Sequence, residues 1–284
     1  MNDDAENAST ASRAGARLAG RTVILTGAAG NIGAHVSRAL LREGARLVMT
    51  GRNRAKLEAF IDELAGEGFD REAMCPAIGD CADPEACRAI VATAIERFGE
   101  LHVLINNAGG PGPKQTLENI PLTEAEAHAS GDAETLFQAA MNLLGGPWNM
   151  TRAALPHLAV SGAVVNVSTI FSRTPYFGRI PYVVPKSALN ALSEGLAHEL
   201  GQGDRGIRVN TVFPGPIESD RIHAVFGAMD KLQDQPEGTT SKHFKDLMIT
   251  RRRDSEGAMS FRYPDPADVA QTLLWLATPE SEAF

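Results

Sequence analysis

From Arg21 onwards, short runs of β-branched and aliphatic residues alternate with longer helical patterns. Strands and helices alternating at this spacing form βαβ units, in which parallel strands make one sheet with helices on both faces. We therefore expect an α/β, doubly wound fold of the Rossmann type, with ligands bound at the carboxyl ends of the strands. The expected strands are 23–26, 46–50, 74–78, 101–105, 163–167 and 208–212, and the expected helices are 32–43, 56–64, 84–98, 134–158, 182–200 and 267–277.

One region, 217–263, interrupts this alternation. It is polar and mixed in composition, and Pro236-Glu237-Gly238 predicts a turn inside it. A long insertion beside strand ends usually has a function, so we interpret it as a substrate lid, with a floppy surface loop as the alternative. We assign residues 18–284 to a single domain, and residues 1–17, which have no apolar segment, to a disordered leader.

The charge of the chain limits its partners. A net charge of -8 argues against nucleic acid and against an anionic membrane surface, because both require a basic field. No apolar run approaches the roughly 20 residues that span a bilayer. The cysteines, Cys75, Cys81 and Cys87, are too few for a disulfide framework and lack the partners of a zinc site. We expect a cytoplasmic protein with reduced thiols and no metal, acting on a small molecule.

A glycine-rich turn, Thr26 to Gly33, follows the first expected strand and opens the first helix. Glycines there permit a tight turn and let backbone N–H groups approach a pyrophosphate at the helix N-terminus. After the second strand, an acid would hold the ribose of NAD(H), whereas a basic residue would hold the 2′-phosphate of NADP(H). Gly51-Arg52-Asn53-Arg54 occupies this position and favours NADPH, with an exposed loop arginine as the alternative interpretation.

A tyrosine and a lysine four residues apart, Tyr182 and Lys186, lie at the start of a predicted helix. Residues at this spacing share one helix face, so the ammonium can lie beside the phenol. A phenol is a weak acid-base catalyst at neutral pH unless a cation stabilises its ionised form. The pair indicates a catalytic acid, although a lone motif of this kind is more often a surface tyrosine and a solvated lysine.

Taken together, the motifs resemble the short-chain dehydrogenase/reductases over nearly all of residues 18–280. The resemblance is carried by the glycine turn, Asp80, Asn106-Asn107-Ala108-Gly109, Asn142, Asn166-Val167-Ser168-Thr169, Tyr182 with Lys186, and Arg208-Val209-Asn210 before Pro214-Gly215-Pro216-Ile217. It implies an NADP-dependent oxidoreductase acting on a carbonyl. Tyr182 would donate the proton, Lys186 would bind the nicotinamide ribose, and Asn142 would anchor a water that relays protons.

The same resemblance implies a set of cofactor-binding residues. They are Thr26, Gly27, Gly30, Asn31, Ile32 and Gly33 in the turn, Arg52 and Asn53 after the second strand, Asp80 and Cys81 at the adenine, Asn107, Ala108 and Gly109 along the cofactor, and Lys186, Pro214, Gly215, Ile217 and Ser219 towards the nicotinamide.

Two positions depart from the family pattern. Asn31 replaces a glycine, and because asparagine tolerates the left-handed conformation, we expect the turn to survive with altered phosphate contacts. Thr169 replaces the serine that orients the substrate carbonyl, and its hydroxyl can donate the same hydrogen bond. Ser168 and Ser172 are the alternatives.

Segments 121–126, 166–173, 178–182 and 213–222 also resemble the amino-terminal part of bifunctional malonyl-CoA reductases. That part reduces malonate semialdehyde to 3-hydroxypropionate with NADPH. The family continues after 270–277 into a last strand, so we expect a truncated fragment, forming homo-oligomers or packing against further reductase units.

A buried substrate carboxylate would need a cation. The candidates are Arg179, Arg173, Arg221 and the run Arg251-Arg252-Arg253, which could equally be a solvated face. Two alternatives to this function stay open. One is reduction of another 3-oxoacyl or carbonyl substrate, and the other is a nucleotide-binding scaffold without catalysis.

Overall fold

A six-stranded sheet with strand order β3-β2-β1-β4-β5-β6 forms the centre of the molecule, and every neighbouring pair is parallel. The computed structural model describes residues 17–112, 114–121, 123, 125–126, 138, 141–247, 250–253 and 259–283. The strands are β1 (Thr22–Thr26), β2 (Arg46–Gly51), β3 (Met74–Ile78), β4 (Leu101–Asn106), β5 (Leu158–Val167) and β6 (Arg208–Val212). The expected fold class is confirmed.

Helices cover both faces of this sheet. They are α1 (Asn31–Arg42), α2 (Arg54–Gly66), α3 (Pro84–Phe98), α4 (Gly146–Ala154), α5 (Ile180–Gly201), α6 (Asp220–Leu232), α7 (Thr239–Leu247) and α8 (Pro266–Ala277). Alternate strand residues point to opposite faces, so Val23 packs with α1, α2 and α8, whereas Ile24 packs with α3 and α4. Burial on both sides explains why the central strands β1 and β4 read as nearly continuous apolar runs.

The helix expected over 134–158 differs from the structure. Within the described residues, a π-helical turn occupies Met141–Gly145, α4 follows, and a short 3₁₀ turn covers Leu155–His157. Leu158 already belongs to β5, which therefore begins earlier than the expected 163. Most of 127–140 lies outside the described residues. Proline at position 156 is compatible with this early helix end, because it cannot donate a helical N–H.

The region from 217 to 263 contains more regular structure than its polar sequence indicates. It holds α6, α7 and an antiparallel pair of strands, β7 (Thr250–Arg253) and β8 (Met259–Arg262). Phe226 stacks on Phe244 with ring centroids 5.1 Å apart, and Phe171 meets the same ring edge-on. The predicted turn at 236–238 is present. The Asp230 carboxylate holds it by accepting hydrogen bonds from the backbone N–H groups of Gly238 and Thr240. The described part of this region thus consists of two helices and a strand pair, and both helices pack on one aromatic cluster.

At the amino end, residues 1–16 of the expected leader lie outside the described residues, and Arg17 pairs with Glu43 at 2.6 Å. None of the helices in the described part of the chain has the length and apolar character required to traverse a bilayer. The order of the strands reverses between β1 and β4, and in such sheets a crevice opens at the carboxyl ends of these two strands.

Candidate active site

A cavity of about 1120 Å³ occupies this crevice, and segments following all six strands contribute to its lining. It brings together the predicted cofactor and catalytic residues. These are Thr26, Gly27, Gly30, Asn31, Ile32, Gly33, Arg52, Asn53, Asp80, Cys81, Asn107, Ala108, Gly109, Asn142, Ser168, Thr169, Tyr182, Lys186, Pro214, Gly215, Ile217 and Ser219. Of the arginines predicted to bind a substrate, Arg179 and Arg221 also line the cavity.

The glycine-rich turn is tightly packed. Gly27 has a φ of +69°, and a Cβ on Gly33 would lie 2.1 Å from the carbonyl oxygen of Gly27. Asn31 is the first residue of α1, so the left-handed conformation that we considered for it is not used. Gly30 is the N-cap, and no side chain caps the helix there. The first-turn N–H groups are therefore left for a bound anion.

Thr26 and Asn107 join the ends of β1 and β4. The Thr26 hydroxyl accepts hydrogen bonds from the backbone N–H groups of Asn107 and Ala108, both at 2.9 Å. In return, the Asn107 amide donates to the carbonyl of Thr26 at 2.9 Å. The polar groups of these predicted cofactor residues are thus largely used in shaping the crevice.

At one end of the cavity, Arg52 and Asp80 form an exposed ion pair at 3.6 Å. The Asn53 side chain accepts a hydrogen bond from the backbone N–H of Lys56 and caps α2. Lys56 itself lines the cavity. No motif in the sequence pointed to Lys56, although its position in the first turn of a helix that follows β2 is a usable signal.

Cys81 lies beside Asp80. A hydrogen bond with the Cys87 thiol, together with burial, raises the pKa of Cys81. Cys81 is therefore a neutral thiol that lines the cavity by contact alone. Cys75, Cys81 and Cys87 are all free thiols.

At the opposite end, Lys186 is 5% exposed and its ammonium donates to the carbonyl of Val167 at 2.7 Å. Burial, with the charge of Arg221 nearby, lowers the pKa of Lys186 to about 8. Tyr182 lies one helical turn earlier on α5 and is half-buried. Gly112, with a φ of +64°, packs so closely that a Cβ there would lie 3.1 Å from the Cβ of Tyr182.

Arg179, directly before α5, is 4% exposed and lies over the Tyr182 ring, with 4.4 Å between its guanidinium carbon and the ring centroid. One guanidinium nitrogen donates to the carbonyl of Pro111 at 2.7 Å. The other terminal nitrogen is buried and has no hydrogen-bond partner among the described residues. Burial lowers the pKa of Arg179 to about 10, so it is still charged at neutral pH. A buried cationic donor without a partner is suited to an anionic ligand.

The other substrate candidates differ in position. Arg221 lies on α6 and donates to the carbonyl of Gly109 at 3.2 Å. Arg173 does not belong to the cavity lining, and its guanidinium lies over the Phe213 ring instead, at 4.4 Å. The expectation that Arg173 faces the substrate therefore disagrees with the structure, because its guanidinium is engaged by the Phe213 ring and lies 3.9 Å from Glu194. The side chains of 251–253 lie outside the described part of the chain.

Three hydroxyl groups compete for the role of substrate donor. Ser168 donates to Asn190 Oδ1 at 2.6 Å, and Ser172 donates to the carbonyl of Thr169 at 2.6 Å. Thr169 accepts a hydrogen bond from the Phe171 N–H at 3.3 Å, and its own hydrogen has no acceptor among the described residues. Thr169 is the hydroxyl that retains a free hydrogen at the cavity.

Two further features complete the lining. Asn142 lies in the π-helical turn Met141–Gly145, a geometry often found at functional sites. Ser219 caps α6 by accepting a hydrogen bond from the Ile222 N–H at 3.3 Å. From there, α6 presents one face to the cavity through Arg221, Ile222, Val225 and Ala228.

The cavity is basic although the chain carries a net charge of -8. Its lining includes the basic residues Arg52, Lys56, Lys114, Arg179, Lys186 and Arg221. Among the described lining residues, Asp80 is the one acid, and it is already paired with Arg52. The field in the cavity therefore favours anionic ligands.

Lys186 should make the stability of the fold depend on pH. Its pKa is about 8 in the folded chain, below the ordinary value of 10.5. As pH rises between these two values, the folded chain loses the proton first, the unfolded chain binds more protons, and the free energy of unfolding increases. Below this window both states carry the charge, and the folded state bears the cost of burying it.

We expect this increase in the wild type and its loss in Lys186→Met, measured by urea denaturation from about pH 7.5 to about pH 10.5. Lys231→Met, at an exposed position on α6, is the control and should retain the increase. An identical pH profile in Lys186→Met and the wild type would show that the buried ammonium does not cause the effect.

Comparison with known proteins gives the family. A family model described as short chain dehydrogenase matches residues 21–229. An L-fucose dehydrogenase of Oryctolagus cuniculus is 37% identical over 72% of this chain and 65% of its own length. A 1,6-dihydroxycyclohexa-2,4-diene-1-carboxylate dehydrogenase of Pseudomonas putida is 34% identical over 72% of this chain and 69% of its own length.

A solved structure resembles this chain over most of its length. The N-domain of a bacterial malonyl-CoA reductase, determined with NADP, has a TM-score of 0.88 and 44% identity, covering 95% of this chain and 50% of that chain. This chain therefore spans about half the length of that structure and just under two thirds of the L-fucose dehydrogenase. The matches to sequence and fold agree: the chain belongs to the short-chain dehydrogenase family of oxidoreductases.

Proposed function

We propose that this chain is an NADPH-dependent carbonyl reductase that converts malonate semialdehyde to 3-hydroxypropionate, as part of a malonyl-CoA reductase. The observation that carries the proposal is the cavity itself. Tyr182 and Lys186, one helical turn apart on α5, line this cavity together with Thr169, and an uncapped helix terminus borders the same space. A scaffold without catalysis would have no need for a buried ammonium in this position, since burial of a charge is costly.

The lining fits NADPH by its donor chemistry. The first turn of α1 offers free N–H groups to a pyrophosphate, and the close packing of Gly27 and Gly33 excludes side chains from the turn. Arg52 is exposed enough to exchange Asp80 for a 2′-phosphate, and Lys56 adds a second cation. The related malonyl-CoA reductase N-domain is described as bound to NADP, which supports the same choice.

When bound, NADPH supplies a hydride to the carbonyl carbon of the substrate. We propose that the Tyr182 hydroxyl donates the proton to the carbonyl oxygen and that the Thr169 hydroxyl donates a hydrogen bond to the same oxygen. Lys186 stabilises the phenolate left on Tyr182 and holds the ribose. Asn142, in its π-helical turn, anchors the water through which a proton reaches Lys186.

The substrate assignment rests on the basic character of the cavity and on Arg179. Its free N–H, buried beside the Tyr182 ring, can bind a carboxylate while the aldehyde of the same small molecule meets the phenol. Arg221 offers a second cation from α6. The similarity to a malonyl-CoA reductase N-domain favours malonate semialdehyde, whereas the dehydrogenase names of other relatives indicate different carbonyl or hydroxyl substrates.

We also propose that residues 18–284 form one Rossmann-type unit with 217–263 as its lid. The support is the aromatic cluster, in which Phe226 and Phe244 pack against Val183 of α5, next to Tyr182. We also propose that this unit pairs with a second copy or packs against further reductase units, and the length of the malonyl-CoA reductase structure, of which this chain spans about half, supports the second arrangement.

Tyr182→Phe should retain the ring under Arg179 and lose the proton donor. We expect kcat for malonate semialdehyde with NADPH to fall by about 10²–10⁴-fold, because a positioned general acid contributes this much. The Kd for NADPH should change by less than about twofold, since the cofactor contacts lie elsewhere. Tyr176→Phe is the matched control, because this ring packs on Phe244 outside the cavity. Weakened NADPH binding with unchanged turnover would refute the acid role.

Arg179→Gln should discriminate between substrates with and without a carboxylate. We expect the KM for malonate semialdehyde to rise by about 10–100-fold, because a charge-assisted hydrogen bond is lost, whereas the KM for propanal should change far less. Arg173→Gln, outside the cavity, is the control and should alter neither value. Equal losses on both aldehydes would assign Arg179 to the support of Tyr182 alone. Activity on thioester substrates but not on the free acid would favour another 3-oxoacyl substrate.

Arg52→Ala should lower the preference for NADPH over NADH. We expect the Kd for NADPH to rise by about tenfold or more and the Kd for NADH to stay within about twofold, measured by cofactor fluorescence. Arg54→Ala is the control, because Arg54 pairs with Glu58 on the exposed face of α2. An equal effect on both cofactors would contradict recognition of a 2′-phosphate by Arg52.

A further inference from the structure

Asn190 lies one turn after Lys186 on α5, is 9% exposed, and makes two hydrogen bonds of opposite direction. Its Oδ1 accepts from the Ser168 hydroxyl at 2.6 Å, and its Nδ2 donates to the Ser172 hydroxyl oxygen at 2.9 Å. A primary amide can accept on one atom and donate on another in a fixed arrangement. Asn190 therefore determines the direction of the hydrogen bonds on both sides of Thr169.

The Ser172 hydroxyl has one hydrogen, and Asn190 determines where it points. Since its oxygen receives the Asn190 N–H, the Ser172 hydroxyl hydrogen is directed to the carbonyl of Thr169, 2.6 Å away. Ser168 in turn directs its hydrogen to Asn190 at 2.6 Å, since its other possible acceptors, the Lys186 carbonyl at 3.3 Å and the Ser172 hydroxyl at 3.4 Å, are farther away. The network thus removes both serine hydrogens from the cavity and holds the Thr169 backbone at the same time.

The network also links Thr169 to the catalytic helix. Ser187 of α5 donates to the carbonyl of Ser172 at 3.1 Å, and Lys186 donates to the carbonyl of Val167 at 2.7 Å. The segment from Val167 to Ser172 is therefore attached to α5 by hydrogen bonds on both sides of Thr169. A buried polar network that is fully satisfied in this way fixes one geometry.

We propose that Asn190 is a positioning residue that selects Thr169 as the hydroxyl presented to the substrate carbonyl. It acts through Ser168 and Ser172 and has no contact with the substrate itself. The proposal rests on the proposed function, in which Thr169 donates to the carbonyl oxygen.

A double-mutant cycle tests this coupling, because residues acting through one another are non-additive and independent ones are additive. We expect Asn190→Leu to lower kcat/KM for malonate semialdehyde by about tenfold in the wild type and by less than about twofold in a Thr169→Ala background. Ser172→Ala, a smaller change, should show the same dependence on Thr169 if Asn190→Leu fails to fold.

Ser193→Ala is the matched control. Ser193 is also buried on α5, but it bonds Asn166 and the carbonyl of Leu189, away from Thr169. Its effect should be the same in both backgrounds. An effect of Asn190→Leu that is equally large in both backgrounds would overturn the proposal and leave Asn190 with a structural role alone.

A crystal structure of Asn190→Leu separates this inference from the proposed function. If the wild type does not reduce malonate semialdehyde, the proposed substrate fails, but the positioning role still predicts a visible change. The Ser172 side chain should rotate away from the Thr169 carbonyl, or the Ser168 hydroxyl should turn towards the cavity. Retention of both hydroxyl positions in the variant would overturn the positioning role.

Discussion

The hydroxyl of Thr26 occupies the point on which the site depends. It accepts hydrogen bonds from two backbone N–H groups in the segment after β4. These bonds join the ends of β1 and β4, between which the crevice opens. The Asn107 side-chain amide also donates a hydrogen bond to the carbonyl of Thr26. The turn after β1 leads to α1, and the segment after β4 continues to Gly112, which packs on Tyr182. The hydrogen bonds at Thr26 therefore fix the position of the glycine turn relative to the segment that reaches Tyr182.

Charge distribution is the second organising constraint. An acidic chain surrounds a cavity whose described lining contains six basic residues and one acid. Three of these cations, Arg179, Lys186 and Arg221, lie at the end that holds Tyr182. Bringing like charges together in a partly buried space is unfavourable without an anion, and burial lowers the pKa of Lys186 and of Arg179 accordingly. Bound anions would therefore stabilise the site as well as occupy it.

Local pattern in the sequence was enough to predict the sheet, and the family resemblance named residues after its strands that line the cavity in the structure. Apolar runs and turn signals are short-range features, and the motif after each strand is carried to a common edge by the parallel topology. The left-handed conformation considered for Asn31 is not found, because α1 begins at that residue and Gly27 takes the positive φ instead. The helices α6 and α7 were missed because their apolar faces pack on one small aromatic cluster within an otherwise polar sequence. The choice among Ser168, Thr169 and Ser172 depends on Asn190, a contact between separate elements that no local pattern encodes.

Helix α6 contacts the cavity through one face, so substitutions on this face are independent of substitutions at the strand ends. Arg221, Ile222, Val225 and Ala228 recur at helical spacing and border the cavity, whereas the glycine turn and the β1–β4 junction lie at the ends of the strands. Substitutions along this one stripe could reshape the chamber around the substrate without disturbing the hydrogen bonds that hold the strand ends. Substrate preference can therefore change through a few substitutions on α6, while the residues at the strand ends that support hydride transfer stay the same.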